Sequence, residues 1–203
     1  MRVAEQLNLA LHELLKSDPS VHLLGEDLSD PYGGAFKITK GLSTAFGDRV
    51  RSTPLSESAI VGVGAGLALA GDKAIVEIMF ADFVTLAFDQ LVNFAAKSTT
   101  MYGRRVPMPL VVRCPSGGGR GYGPTHSQSP QKHLIGVPGL GVHELSPSTT
   151  PVCCSPICCR RASRPCCSRT RSSTPARRSR TASSTTSSAS NCSASGPDGR
   201  GCS

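Results

Sequence analysis

The first 147 residues alternate between apolar positions at helical spacing and short apolar runs of the kind found in buried strands. The predicted strands are the runs at residues 21–25, 50–54, 73–80, 109–115 and 141–145. The predicted helices are an opening helix from Val3 that ends at Asp18-Pro19, and segments 33–47, 57–71, 82–97 and about 130–135. Regular alternation of strands and helices predicts an α/β fold with a parallel sheet and helices on both faces.

The pattern breaks near residue 148. Up to Pro147 the chain has 13 Lys+Arg and 13 Asp+Glu, so the whole-chain charge of +8 belongs to the remainder. All aromatic residues precede this point, whereas eight of the nine cysteines follow it. A segment with so few large apolar residues cannot bury enough surface to offset its ordering entropy. We therefore expect a folded domain over 1–147 and a disordered Ser/Arg/Cys-rich tail over 148–203.

Four interpretations of this tail are open. A metal site is disfavoured because the tail lacks histidine and C-x-x-C spacing. An RNA-binding arm lacks interleaved aromatic residues, and a disulfide scaffold lacks a signal peptide. A frameshift near residues 148–152 of a GC-rich gene explains the abrupt change best, so the tail is interpreted as out-of-frame sequence.

Localisation follows from two simple observations. No run of 18 apolar residues occurs, so no membrane span is predicted. The single cysteine of the first part, Cys114, suits a reducing compartment. With no signal segment, the sequence predicts a cytoplasmic protein.

Chemistry-bearing residues follow several of the predicted strands. Glu26, Glu57, the turn at 80–83 and the glycine loop at 117–128 all lie just after a strand. Sites in parallel sheets collect at the carboxyl ends of the strands, so these segments are expected to converge on one edge.

Short nucleotide-binding motifs give little support. GVGAG (62–66) and GGGRGYG (117–123) do not complete G-x-G-x-x-G, and the first lies inside a predicted helix. Neither a P-loop nor a G-x-S-x-G nucleophile elbow occurs. Phosphoryl transfer through a P-loop and elbow-type hydrolysis therefore have no basis in the sequence.

Three residues have competing local interpretations. Glu57 follows the N-cap candidate Ser56, where a carboxylate interacts well with the helix dipole without any catalytic role. His126 is either a general acid/base or a solvated turn residue. Phe83, beside Asp82 at a strand-to-helix turn, fits the hydrophobic core on local grounds.

Four long sequence blocks favour the functional interpretations of these three residues over the structural ones. They are GEDLSDPYGGAFKITKGLSTAFGDRV, TPLSESAIVGVGAGLALAG, VEIMFADFVTLAFDQLVNFAAK and GRGYGPTHSQS. In this order and spacing they resemble the β subunit of thiamine-diphosphate-dependent 2-oxo acid dehydrogenases, which includes the pyruvate, branched-chain 2-oxo acid and acetoin enzymes. The resemblance covers residues 1–147 and implies a transketolase-like pyrimidine-binding domain. It also implies that the α/β fold is doubly wound, with a mostly parallel sheet and helices on both faces.

The resemblance assigns roles to individual residues. It implies that Glu57 binds the aminopyrimidine nitrogen of thiamine diphosphate and favours the imino tautomer, from which the reactive carbon is deprotonated. It implies that Phe83 packs on the pyrimidine and that His126 faces the 2-oxo acid and the lipoyl group. Glu57 and His126 are thus the predicted catalytic residues.

Weaker implications concern four more residues. Glu26 resembles an acidic residue near the cofactor, and Leu55 and Met79 resemble residues that line the pyrimidine pocket. The backbone carbonyl of Leu110 matches one ligand of a structural potassium ion in some relatives.

Departures from the family define the expected partners. The Gly-Asp-Gly…Asn motif for diphosphate and magnesium is absent, because the α subunit carries it in this family. The resemblance therefore implies an α subunit, a second β subunit in a heterotetramer and a lipoyl-bearing acyltransferase, without specific nucleic acid or a membrane. The predicted function is decarboxylation of pyruvate or a related 2-oxo acid with acyl transfer to lipoyl. The alternative is a truncated, non-catalytic fragment whose basic tail binds polyanions non-specifically.

Overall fold

The computed structural model describes residues 2–145 and the backbone of Cys166–Arg171. The strands are β1 (Val21–Glu26), β2 (Val50–Thr53), β3 (Lys73–Glu77), β4 (Leu110–Ser116), β5 (Gly141–Leu145) and β6 (Cys166–Arg171). The α-helices are α1 (Val3–Ser17), α2 (Leu42–Phe46), α3 (Glu57–Ala70) and α4 (Ala96–Met101). Short 3-10 helices cover Ala35–Lys37, Gly47–Arg49, Ala81–Ala87 and Pro130–His133, and a π-helix covers Gln90–Ala95.

All strand pairs of the sheet are parallel, in the order β2-β1-β3-β4-β6-β5. Starting from β1, the chain places β2 on one side and then β3 and β4 on the other side. This reversal of direction is the doubly wound arrangement predicted from the sequence. The carboxyl ends of β1, β3 and β4 therefore lie side by side.

Two hydrophobic cores cover the faces of this sheet. On one face, α1 contributes Leu7 and Leu11, which pack with the strand residue Ile75. On the other face, α3 contributes Val61 and Ala65, which pack with Val76. Because successive strand side chains point to opposite faces, Ile75 and Val76 belong to different cores.

Two predicted helices differ from the structure. The segment 33–47 is not one helix: a 3-10 turn and α2 are separated at Gly41, whose φ is +83°. Asp30 accepts hydrogen bonds from the N–H groups of Gly41 and Thr44, which holds this irregular path. The segment 82–97 is helical throughout most of its length, but it passes from 3-10 through π to α geometry.

The tail contributes one unexpected strand. The composition predicted disorder after residue 148, yet the backbone of Cys166–Arg171 pairs with β4 on one side and β5 on the other. Strand ladders use only main-chain groups, which almost any residue can supply, so residue composition was a poor guide here. The remaining tail residues, and with them the frameshift hypothesis, lie outside the described residues.

No helix in the described part of the chain is long and apolar enough to cross a membrane.

Two glycines of α3 give a matched test of the packing between helix and sheet. A Cβ at Gly64 would lie 2.5 Å from Val76 Cγ2 and 3.1 Å from Leu110 Cδ1, whereas a Cβ at Gly66 would meet nothing within 4 Å. We predict that Gly64→Ala lowers the free energy of unfolding by about 1–3 kcal/mol through overpacking. Gly66→Ala should raise it by about 0.5–1 kcal/mol, because alanine favours the helix.

Urea denaturation of both variants beside the unmodified chain measures these changes. Equal effects of the two substitutions would contradict the close approach of α3 to β3 and β4.

Candidate functional site

Four segments meet at the carboxyl edge of the sheet. Glu26 ends β1, and Glu57 opens α3 shortly after β2. The turn that carries Phe80 and Phe83 follows β3, and the glycine loop that carries His126 follows β4. Parallel pairing of β1, β2, β3 and β4 is what brings these four segments to one edge.

Glu26 is a buried carboxylate at this edge, with 3% of its surface exposed. Its Oε1 atom has no hydrogen-bond partner within the described residues. Burial, followed by the negative charge of Glu57, raises the pKa of Glu26, although a hydrogen bond from the Met79 backbone N–H opposes this shift. Glu26 and Glu57 are therefore an interacting carboxylate pair.

Glu57 is the first residue of α3 and is half-buried. Ser56 occupies the N-cap position as predicted, but its side chain makes no capping hydrogen bond. Within the described part of the chain, the Glu57 carboxylate makes no hydrogen bond or ion pair. Its position suits the helix dipole, yet its acceptor atoms remain available to another group.

An apolar cavity of about 180 Å³ adjoins the start of α3. Leu24, Thr53, Ile60 and Val63 are among its lining residues, and Thr53 Oγ1 is buried without a hydrogen-bond partner in the described structure. Leu55, predicted to line the pyrimidine pocket, does not line this cavity and is 78% exposed.

Phe80, Phe83, Tyr122 and His126 form an edge-to-face ring cluster on the same side of the sheet. The His126 ring lies 4.8 Å from Phe80 and 5.1 Å from Phe83, measured between centroids. Tyr122 lies 5.7 Å from Phe80. Phe83 also packs against the core that includes α3, and its 3-10 helix contacts α3 directly. The two predicted residues Phe83 and His126 are therefore in contact.

A buried acid anchors the glycine loop. Asp82 is 6% exposed and its Oδ1 accepts a hydrogen bond of 3.1 Å from the Gln128 N–H, two residues beyond His126. The Gly117 N–H donates to the Gln128 carbonyl, which closes the base of the loop. His126 Nδ1 lies 3.0 Å from the Thr125 hydroxyl oxygen, so Nε2 is left for other partners. Sequence reasoning passed over Asp82, whose position between two phenylalanines gave no sign of this role.

Two arginines near the site were also missed. Arg113 of β4 forms a buried ion pair with Glu77 of β3, on the α1 side of the sheet. Arg120 of the glycine loop stacks over the Phe36 ring at 4.7 Å and lies 5.4 Å from the Tyr122 ring. The only sequence signal for either was a charged residue inside an apolar or glycine-rich run.

Other predicted positions lie apart from the cluster. Leu110 is at the beginning of β4, paired with Ala74, and therefore at the opposite end of the strand from the loop. The described residues contain no group of three or more His, Cys, Asp or Glu side chains suited to a metal ion. Potassium binding by the Leu110 carbonyl, which needs no such group, stays a prediction.

Comparison with known proteins agrees with this fold. The family model described as "Transketolase, pyrimidine binding domain" matches residues 1–153. The chain therefore belongs to the transketolase pyrimidine-binding-domain family.

Among curated relatives, pyruvate dehydrogenase E1 component subunit beta-1 of Oryza sativa is 43% identical over 143 residues, covering 70% of this chain and 38% of that protein. The 2-oxoisovalerate dehydrogenase subunit beta 2 of Arabidopsis thaliana is 44% identical over 144 residues, covering 70% and 40%. The acetoin:2,6-dichlorophenolindophenol oxidoreductase subunit beta of Cupriavidus necator is 41% identical over 152 residues, covering 70% and 44%. The chain spans about two fifths of the length of these relatives.

A solved structure titled "Split gene transketolase, inactive beta4 tetramer" has a TM-score of 0.66 and 21% identity, covering 86% of this chain and 53% of that one. This similarity confirms the transketolase-like fold predicted from the sequence.

The carboxylate pair gives a direct titration test. Glu57→Gln removes the like charge beside Glu26, so we predict that the pKa of Glu26 falls but stays above its ordinary value, since burial is the larger cause. Carboxyl carbon NMR titration measures it. Glu13→Gln, an exposed change on α1, is the control and should leave the Glu26 titration unchanged.

The raised pKa of Glu26 also predicts a pH dependence of stability. At pH values above 4.5, which is the ordinary pKa of this carboxyl group, the folded chain holds the Glu26 proton more tightly than the unfolded chain. The Glu26 contribution to stability therefore falls as the pH rises through this window. Glu26→Gln should become more stable relative to the unmodified chain between pH 4.5 and 7, as measured by urea denaturation at each pH. A constant difference across that range would contradict the assignment.

Proposed function

We propose that the chain provides the pyrimidine-binding half of the active site in a thiamine-diphosphate-dependent 2-oxo acid dehydrogenase, as the β subunit of the decarboxylating component. The observation that carries this proposal is that one sheet edge brings together an interacting carboxylate pair, an apolar cavity and an imidazole held by phenyl rings. The names of the relatives point to the same reaction class.

The residues at the sheet edge fit the aminopyrimidine of the cofactor. This ring has apolar faces and a polar edge, so it requires apolar walls together with a few hydrogen-bonding groups. The cavity beside α3 has such walls, and Glu26 Oε1 and Thr53 Oγ1 are buried polar atoms without partners in the described structure. When bound, thiamine diphosphate supplies the electron sink for loss of carbon dioxide from a 2-oxo acid.

Glu57 is the residue that would bind the ring nitrogen and hold a proton there. Its backbone is fixed as the first turn of α3, and its carboxylate has no competing hydrogen bond among the described residues. Glu26 would support it by keeping a second proton-binding group nearby. Phe83 would pack on the ring, with Met79 and Leu55 as further neighbours of the pocket.

His126 would stabilise charge or move protons at the substrate. Phe80 and Phe83 hold the imidazole from two sides, and Thr125 contacts Nδ1. Nε2 has no hydrogen-bond partner in the described structure. A free ring nitrogen suits a residue that meets the 2-oxo acid and the lipoyl group.

The proposed assembly requires partners. The chain lacks the Gly-Asp-Gly motif, so the diphosphate and its magnesium ion would be held by an α subunit, within a heterotetramer with two β subunits. The acyl group would pass to a lipoyl-bearing acyltransferase, and the Leu110 carbonyl would contribute to a structural potassium site.

Glu57→Gln in the complex with an α subunit tests the proposal. We predict a roughly 100-fold or larger loss of 2-oxo acid decarboxylation, in the range typical of general acid–base groups, with intact assembly. Glu13→Gln is the control, because that side chain is exposed on α1. Decarboxylation is followed by carbon dioxide release and assembly by size-exclusion chromatography. Near-full activity of Glu57→Gln would sink the proposed role, and no decarboxylation by the unmodified complex would refute the function.

A further inference from the structure

Arg120 is a charged residue in the glycine loop whose guanidinium group has no anionic partner in the described structure. One nitrogen, Nη2, donates a 3.0 Å hydrogen bond to the Gly117 carbonyl. The other two, Nε and Nη1, are buried and have no hydrogen-bond partner among the described residues. A buried donor without a partner is costly, and more so when it carries charge, so this arrangement is that of a site awaiting an acceptor.

The guanidinium is held in a fixed position. Phe36, from the irregular segment after β1, lies under it at 4.7 Å, and Tyr122 lies at 5.4 Å. Such cation–π contacts orient the group without using its N–H donors. Gly121 and Gly123, both at φ +77°, flank Tyr122 and allow the tight path that turns its ring toward Phe80.

Arg120 belongs to the same ring cluster as His126. Tyr122 contacts Arg120 on one side and Phe80 on the other, and Phe80 contacts His126. The cluster thus presents an imidazole and a guanidinium, connected through two aromatic rings. A small anion bound at Arg120 would thus be linked, through the Tyr122 and Phe80 rings, to the histidine that the proposed function places against the substrate.

The nearby acids are occupied by other groups. Asp82 accepts from the Gln128 N–H, and Glu77 pairs with Arg113. Neither forms an ion pair with Arg120 in the described structure. An external anion would therefore match the charge of Arg120, which no acid of the described residues neutralises.

We propose that Arg120 binds the carboxylate of the 2-oxo acid substrate and so selects acids over neutral hydroxyketones. This inference rests on the proposed function for the identity of the substrate. Guanidinium and carboxylate form short, charge-assisted hydrogen bonds, often two at once, which suits the unused Nε and Nη1 donors. Arg120 is then a determinant of specificity, while the proton chemistry stays with Glu57 and His126.

The test is an NMR titration of the ¹⁵N-labelled chain without any partner or cofactor. The Arg120 Nε–H signal is assigned by its absence in Arg120→Lys, and pyruvate, 2-oxoglutarate, acetoin and sodium chloride are added in turn at constant ionic strength. We expect a saturable shift of this signal with the two acids and none with acetoin or chloride. Arg104→Gln, at an exposed arginine outside the site, should leave the shift unchanged.

The two acids distinguish which carboxylate is bound. Equal responses to pyruvate and 2-oxoglutarate assign the carboxylate beside the oxo group. A response to 2-oxoglutarate alone assigns the distal carboxylate of a dicarboxylic substrate. No shift with either acid, or the same shift with acetoin or chloride, would overturn the proposal.

Substitution gives an independent measure. Loss of charged hydrogen bonds predicts that Arg120→Gln weakens acid binding by about 10-fold or more, read from the ring signals of His126. Unchanged binding in a folded Arg120→Gln chain would also overturn the proposal, and the titration of the unmodified chain stands if this variant fails to fold. Because these readouts need no turnover, a negative result for decarboxylation would reject the proposed function without deciding the role of Arg120.

Discussion

The buried ion pair between Glu77 and Arg113 is the interaction on which the site edge depends. These residues face each other in the register of β3 and β4, and they are 1% and 0% exposed. Two charges are tolerated in the interior only while they remain paired, and removing one partner of such a pair typically costs about 3–5 kcal/mol. The pair therefore ties together the ends of the two strands that lead into the Phe80–Phe83 turn and the glycine loop.

Two neighbouring segments approach the Glu77–Arg113 pair closely, and each has a glycine at the point of approach. Gly25 of β1 lies so close that a Cβ there would be 2.5 Å from the Glu77 carbonyl oxygen, so a side chain is excluded. Gly34, at φ +70°, brings the segment after β1 over the Glu77 carboxylate, and Thr39 fixes that segment by donating to the Leu28 carbonyl. The same segment supplies Phe36 beneath Arg120. The pair thus lies in the two strands that lead to the ring-bearing turn and the glycine loop, and next to the segment that supplies Phe36.

The sequence predicted the sheet and the convergence of the site well, because both follow from apolar patterning and the parallel topology. Glu57, Phe83 and His126 were assigned through long motifs, and their roles stay predictions, but the structure does bring Phe83 and His126 into ring contact. Local propensity failed where tertiary contacts decide the backbone, as at Gly41, where Asp30 stabilises a break in a predicted helix. Composition likewise gave no indication of β6, because its pairing is made by backbone groups. Arg113 and Arg120 were passed over because their partners are distant in sequence.

Apart from the Glu77–Arg113 pair, the buried groups without hydrogen-bond partners in the described structure suit two different kinds of ligand. Thr53 Oγ1 belongs to the lining of the apolar cavity at α3, Glu26 Oε1 lies at the end of β1, and both are suited to the polar edge of a ring. Arg120 Nε and Nη1 lie by the aromatic cluster and are suited to an anion. Under the proposed function, a ring that shares a proton and an acid that loses its carboxyl group would place these two opposite demands on one sheet edge.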